Sequence, residues 1–213
     1  TEAKITIGVE DNTISFYYAT RTDLSYTVRY VAADNNGAFM NADRTTREVA
    51  DVTVPDQTFQ AVVDAAAQRI SIDGYQFVSA SPEKITIGAN DADNVITFTY
   101  AKLTNLTYTV KYVDANGNAM PGYPSVTDYA AFAESKSATA PTIEGYNVDA
   151  VTKSIDITAN SAANIISFVY TPRTDLSYIV KTSSDDGSLE PTEKTIGNPT
   201  FGDTVTVMPE AVD

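Results

Sequence analysis

Three stretches of this chain are copies of one another, and that repetition limits what it can fold into more than any other feature. TDLSYTVRY at 22–30, TNLTYTVKY at 104–112 and TDLSYIVKT at 174–182 share one pattern. The first two are identical at six of nine positions and differ elsewhere only by Asp/Asn, Ser/Thr and Arg/Lys. A second segment precedes each copy: NTISFYYA at 12–19, NVITFTYA at 94–101 and NIISFVYT at 164–171. A third occurs as IDGYQF at 72–77 and IEGYNV at 143–148. KITIG stands at 4–8 and again at 84–88, with SIDIT in the same place at 154–158. Tyr26 and Tyr108 are 82 residues apart, and Tyr108 and Tyr178 are 70 apart. The spacing predicts two whole modules, 22–102 and 103–173. Residues 1–21 read as the tail of a preceding repeat and 174–213 as the head of a following, truncated one.

The repeated segments alternate. Tyr26, Val28 and Tyr30 fall on one side and Thr27, Arg29 and Val31 on the other; Ile96, Phe98 and Tyr100 alternate with Thr97 and Thr99. A period of two in β-branched and aromatic residues is the mark of a strand with one buried face. An antiparallel or mixed sheet accommodates such strands. Asn36-Gly37, Asn116-Gly117 and Asp186-Gly187 follow the first strand of each repeat and supply the positive φ of a tight hairpin. Gly74 and Gly145, each between an acid and a Tyr, predict turns into a further strand. The best helix candidate is 57–69, QTFQAVVDAAAQR, while the matching TFGDTVTVMP at 200–209 reads as strand. The expectation is a mainly β chain, α+β at most, with at best a short helix per module.

Between successive modules lie ATRTD, AKLTN and TPRTD, each short and free of Gly. Flexible linkers are rich in Gly and Ser. These joints instead lead into a recurring leucine, Leu24, Leu106 or Leu176, expected at a module junction. Neighbouring repeats are then partners within one chain, strung as a semi-rigid elongated rod.

Composition removes many functions. The chain has no Cys, so disulfides and thiolate metal sites are excluded, and no His, which removes the commonest general base and zinc ligand. With 28 acidic against 14 basic residues the net charge is −14, a field that repels nucleic acid and anionic lipid. No apolar run approaches the roughly 20 residues of a membrane span. No nucleophile motif or phosphate loop is present, and the expectation is a protein that is not an enzyme and carries no cofactor. Calcium at the turns holding Asp34/Asn36, Asp114/Asn116 and Asp185/Asp186 is disfavoured, because each offers two or three oxygens where six to eight are needed. An isopeptide bond from Lys84, Lys111 or Lys153 requires a buried lysine, whereas these sit in alternating strands and are expected to face outward.

The string YTVKYVDANGN, then APTIEGYNV, then NIISFVY resembles the MucBP repeats of Gram-positive surface adhesins. Tyr108, Val110, Tyr112, Val113, Asp114, Asn116, Gly117, Pro141, Ile143, Gly145, Tyr146, Phe168 and Tyr170 carry the match. The first repeat departs from it, with Ala33 and Asp34 around the turn, an insertion, and Arg69 near where Pro is expected. The resemblance implies a β-grasp, ubiquitin-like module and an extracellular place on the bacterial cell wall. It also implies adhesion to mucin or other host glycoproteins, while some copies in the family act only as spacers.

Sugar contact calls for exposed aromatic rings, which stack on apolar sugar faces. Tyr123, in PGYPS between two prolines, is the first candidate, followed by Tyr129 and Tyr17. Tyr26, Tyr108 and Tyr178 are expected in the core. The two functions to separate are a binding module that contacts host glycans and a stalk that projects a distal domain. Tyr123 does not recur between repeats, which favours the stalk.

Overall fold

The structure is a computed structural model, and it describes residues 2–185, 187–188 and 190–208. The chain divides into two compact units, Thr1–Met40 with Thr46–Lys102, and Asn41–Thr45 with Leu103–Asp213.

In the first unit the repeated segments form one four-stranded sheet. Its order is Val52–Gln57, Leu24–Ala32, Val95–Lys102, Tyr75–Ser81. The two central strands run parallel, with Val28 opposite Ile96 and Tyr30 opposite Phe98, and both outer strands are antiparallel. The second unit repeats the order with Val126–Ala130, Leu106–Asp114, Ile165–Pro172 and Tyr146–Val148. A smaller pair of strands accompanies each sheet: Val62–Asp64 with Lys84–Thr86, and Ser135–Thr139 with Thr152–Asp156.

Alternation decides which face is buried. Leu24, Tyr26, Val28, Tyr30 and Ala32 are buried, while Arg29 on the other face is exposed. Ile96, Phe98 and Tyr100 are at most 1% exposed, as are Ile166, Phe168 and Tyr170. Each such side chain contributes about 1.5–3 kcal/mol through burial. The first core is aromatic: Tyr30 and Phe77 meet Phe98 edge-on at 5.9 and 5.6 Å, and Phe39 meets Tyr75 at 5.0 Å. Arg69 lays its guanidinium 3.7 Å over the Phe77 ring. In the second unit Tyr112 stacks on Phe168 at 6.0 Å beside Met120, Ile143 and Ile166. Buried phenols find carbonyls, Tyr100 donating to Ile70 at 2.9 Å and Tyr170 to Pro141 at 2.7 Å. Tyr26 is buried and Tyr108 packs half-buried on its core, whereas Tyr178 is only half-buried.

The turns hold left-handed residues as expected: Asn36 has φ 52° and Gly37 φ 83°, and Gly117 has φ 85°. They do not, however, join two long strands. The antiparallel partner of each opening strand is the much later Val52–Gln57 or Val126–Ala130. After Gly117 there is only a single bridge, Val113 to Ala119. Asn-Gly marks the reversal but not the length of the returning strand. The helix candidate resolves into the strand Val62–Asp64 and one 3₁₀ turn, Ala65–Gln68, capped by Asp64 accepting from the Ala66 N–H at 2.9 Å. The segment 129–141 is mostly strand. No α-helix occurs among the described residues, and the β-grasp layout stays an expectation.

Among the described residues of 174–208 there is one antiparallel pair, Ser177–Thr182 with Thr192–Gly197. Residues 2–21 form no strand, and Ile7, Phe16, Tyr17 and Tyr18 are exposed there.

Candidate functional site

The most promising surface is the solvent face of the sheet built from residues 106–172. On that face Tyr129 stands opposite Thr107, Thr127 opposite Thr109, and Ile165 and Ser167 opposite Thr109 and Lys111. The strand period places these side chains together because their neighbours Tyr108, Val110 and Phe168 turn toward the core. Thr109 Oγ1 and Thr127 Oγ1 share a hydrogen bond at 3.1 Å. The Tyr129 side of this row is an edge strand, and the tyrosine is 65% exposed. A bare ring beside a row of hydroxyls can stack on an apolar sugar face and exchange hydrogen bonds at its rim.

The three candidate tyrosines do not share one place. Tyr123 is half-buried and meets Tyr112 edge-on at 6.3 Å, on the core side of the sheet. Tyr129 lies on the opposite, solvent face. Tyr17 belongs to the other unit, 95% exposed in the segment without strands.

The charged groups near the turns are already engaged. Asp114 Oδ1 accepts from the Asn116 and Asn118 N–H groups, both at 2.8 Å, and Oδ2 accepts from the Asn118 amide at 3.0 Å. The side-chain bond from Asn118, then the backbone bonds, hold this carboxyl below its ordinary range. Asp34 pairs with Lys102 at 2.9 Å. Asp186 lies outside the described residues. Among the described residues no group of three or more acids is placed to hold a metal ion. Lys153 donates to Asp149 Oδ2 and to the Ser167 carbonyl, both at 2.6 Å, and lies 5.6 Å from the Phe168 ring. This is an ion pair folded against an aromatic ring. Burial by itself would raise the Asp149 carboxyl. The bonds from Lys153 and the Val169 N–H outweigh it and leave the group below its ordinary value.

The three leucines share one register: Leu24 and Leu106 open their strands and are buried, and Leu176 is half-buried just before Ser177. At two of the joints an arginine forks onto an aspartate two residues on. Arg21 contacts Asp23 at 2.9 and 3.1 Å, and Arg173 contacts Asp175 at 2.9 Å twice.

Two recurring features escaped the sequence reading. Phe59, Phe132 and Phe201 each donate a backbone N–H to a joint carbonyl, that of Arg21, Leu103 and Arg173 respectively. The Phe201 ring then lies against Tyr146 at 5.5 Å and fills the space a Cβ on Gly145 would need. The second is the buried pair Asn94 and Asn164, whose carboxamides tie two backbone segments together. Their position was visible, since each recurring NxIxF segment opens on that Asn.

Cavities lie elsewhere. One of ≈ 300 Å³ is lined by Arg69, Phe77, Glu83 and Lys84 among others. Another of ≈ 300 Å³ lies along Pro141, Tyr146, Val148 and Tyr170. A third of ≈ 650 Å³ is lined by Tyr178, Val180, Ile196, Val207 and Met208.

A family model described as MucBP domain matches residues 25–101 and 107–171. Internalin J of Listeria monocytogenes serotype 4b (strain F2365) is 30% identical over 108 residues, half of this chain. The match spans 12% of that protein's length. Among solved structures, the type 2 repeat of the mucus binding protein MUB from Lactobacillus reuteri overlaps 70% of this chain and 100% of its own. It does so at 16% identity and a TM-score of 0.26. Streptococcal High Identity Repeats in Tandem domains 3-4 from a cell surface protein overlap 70% of this chain and 99% of theirs, at 17% identity and a TM-score of 0.27.

Proposed function

The chain belongs to the MucBP domain family, and we propose that it is a non-catalytic repeat segment of a bacterial cell-surface adhesin that contacts glycans of host mucins or related glycoproteins. The observation that supports this reading is Tyr129. It is a large ring left 65% exposed on a sheet face whose neighbours are the hydroxyls of Thr107, Thr109 and Thr127. Burying that ring against a sugar would return the hydrophobic contribution the fold leaves unused. No helix among the described residues is long and apolar enough to cross a membrane.

The stalk reading has its own support, because the ring is not repeated. Opposite Ser177, the counterpart of Thr107, stands Gly197. Near Ser25 the register shifts, and the edge strand carries Pro55 and Asp56. Residues 22–102 are accordingly assigned the spacing role, and residues 103–173 the contact. The test is capture of the chain on immobilised mucin before and after enzymatic removal of its O-glycans. Glycan-dependent capture that Tyr129→Ala reduces supports the binding reading; no capture at high micromolar concentration leaves the stalk.

A further inference from the structure

The two units differ beside the edge strand that follows each Gly-Tyr turn. In the second unit that place holds a carboxylate of its own. Lys153 donates to Asp149 Oδ2 and to the Ser167 carbonyl, both at 2.6 Å, with its ammonium 5.6 Å from the Phe168 ring. The repeat register gives the counterparts in the first unit. Ser79 stands opposite Thr99, where Asp149 donates its N–H to the Val169 carbonyl. Glu83 replaces Lys153, and Phe98 replaces Phe168. The internal ion pair has therefore been lost from the first unit.

A recess of ≈ 300 Å³ opens there instead, lined by Arg69, Phe77, Ser79, Glu83, Lys84 and Phe98 among others. A β-bulge borders it: the register shifts between Phe77 and Ser79, and Val78 is the extra residue. Bulges re-aim the side chains beside them. Acidic residues outnumber basic ones 28 to 14 in this chain. Even so, neither Arg69 nor Lys84 lies within ion-pair distance of an acid among the described residues. Asp64, which also borders the recess, is occupied in capping the Ala66 N–H at 2.9 Å.

Arg69 is held ready for a ligand. Its guanidinium lies 3.7 Å over the Phe77 ring, and that ring is fixed edge-on by Phe98 at 5.6 Å and Tyr100 at 5.7 Å. A guanidinium stacked by its face keeps the N–H fork in its own plane free for a planar acceptor such as a carboxylate.

We propose that this recess binds the carboxylate of an acidic sugar, supplied from outside where the second unit uses Asp149. The Arg69 fork takes the two carboxylate oxygens, and the Lys84 ammonium adds a second positive charge. The Ser79 hydroxyl and the Glu83 carboxylate remain for the ring hydroxyls. The volume stands at the small end of ligand sites and suits one sugar ring. At physiological ionic strength the screening length is about 8 Å, so the groups lining the recess outweigh the net charge of the chain. The site is separate from the Tyr129 face and gives residues 22–102 a contact of their own beside the spacing role.

Residue-resolved NMR titration of the full chain at neutral pH tests this, with glucuronic acid as one probe and its neutral amide, glucuronamide, as the other. The expected result is saturable shifts at Arg69, Ser79 and Lys84 with the acid and none with the amide. Arg69→Gln and Lys84→Gln should each weaken binding by about tenfold, the loss of one charge-assisted contact. Lys84 is exposed, so its replacement leaves the fold intact. Ser79→Asp, which gives the first unit the carboxylate of the second, should abolish binding while both cations remain. Spectra unchanged at tens of millimolar acid overturn the proposal. So do equal shifts with the amide, shifts centred outside the recess, or binding that Lys84→Gln and Ser79→Asp leave as in the wild type. None of these outcomes bears on the Tyr129 face, whose own test reads different residues.

Discussion

Asn164 holds Thr158 by both ends of its carboxamide: Oδ1 accepts the Thr158 N–H at 2.9 Å and Nδ2 donates to the Thr158 carbonyl at 3.0 Å. Nδ2 also reaches the Thr107 carbonyl at 3.3 Å, so one side chain joins the opening strand to the turn before the closing strand. Asn164 is 2% exposed, and water does not replace these bonds when it is removed. Asn164→Ala is expected to cost about 3 kcal/mol, from several lost bonds and the stranded backbone groups. Asn94→Ala should cost a similar amount, because its three bonds occupy the same place. Urea unfolding of each variant checks this; a loss too small to measure shows that the clasp is decoration.

Left-handed backbone predicts opposite outcomes at two positions. Ala133 has φ 61°, where Cβ crowds the backbone, and the equivalent residue of the third repeat is Gly202 at φ 86°. Ala133→Gly should stabilise the chain by about 0.5–1 kcal/mol, the relief of strain exceeding the added freedom of the unfolded chain. Gly145 has φ 81° with the Phe201 ring in its Cβ position. Gly145→Ala should destabilise by about 1–2 kcal/mol and expose Phe201, visible as lost ring contacts to Tyr146 in NMR spectra.

Acid weakens the fold through identifiable carboxylates. Asp149 and Glu134 both sit below their ordinary values, Glu134 chiefly because Lys136 donates to it. A depressed folded pKa gives stability that is complete above the unfolded value, about 4. That stability is lost as pH falls through the folded value. The melting temperature should drop as pH is lowered from about 5 toward 3, and Asp149→Asn should flatten that slope. At the alkaline end burial raises Tyr30, Tyr100 and Tyr170. Their contribution is complete below about pH 10 and drains as pH rises through the raised folded values.

The two tyrosines of the second module should separate stability from binding. Tyr123 rests on Tyr112 and the apolar cluster, so Tyr123→Ala should lower stability by about 1–3 kcal/mol. Tyr129 is mostly exposed, and Tyr129→Ala should change stability by less than about 0.5 kcal/mol. Melting curves of the two variants, recorded beside the wild type, show whether the structural and contact roles divide this way.

The strands were legible because alternation repeats three times: Tyr26, Val28 and Tyr30 announce a half-buried strand, and so do Ile96, Phe98 and Tyr100. Gly74 and Gly145 were legible as turns for the same reason. The strand partners beyond the Asn-Gly turns were not, because pairing between Tyr26 and Val54 depends on sequence far from either residue. At 57–69 the helix is as short as expected, the single 3₁₀ turn Ala65–Gln68 over the alanines, because Val62 and Val63 just before it find a strand partner in Thr86 and Ile85. Tyr123 looked free because prolines flank it. Its packing on Tyr112 depends on the course of a loop that no periodicity records. Tyr129 stood among the candidate rings on residue type alone, and only the register opposite Thr107 places it on the solvent face.

The proposed contact with glycans rests on the solvent face of the second sheet, and residue-resolved NMR titration of the chain with O-glycans released from mucin tests it most directly. The expected result is saturable shift changes clustered at Thr107, Thr109, Thr127 and Tyr129 and lost in Tyr129→Ala. Spectra unchanged at millimolar glycan, or changes centred on residues away from that face, would contradict it.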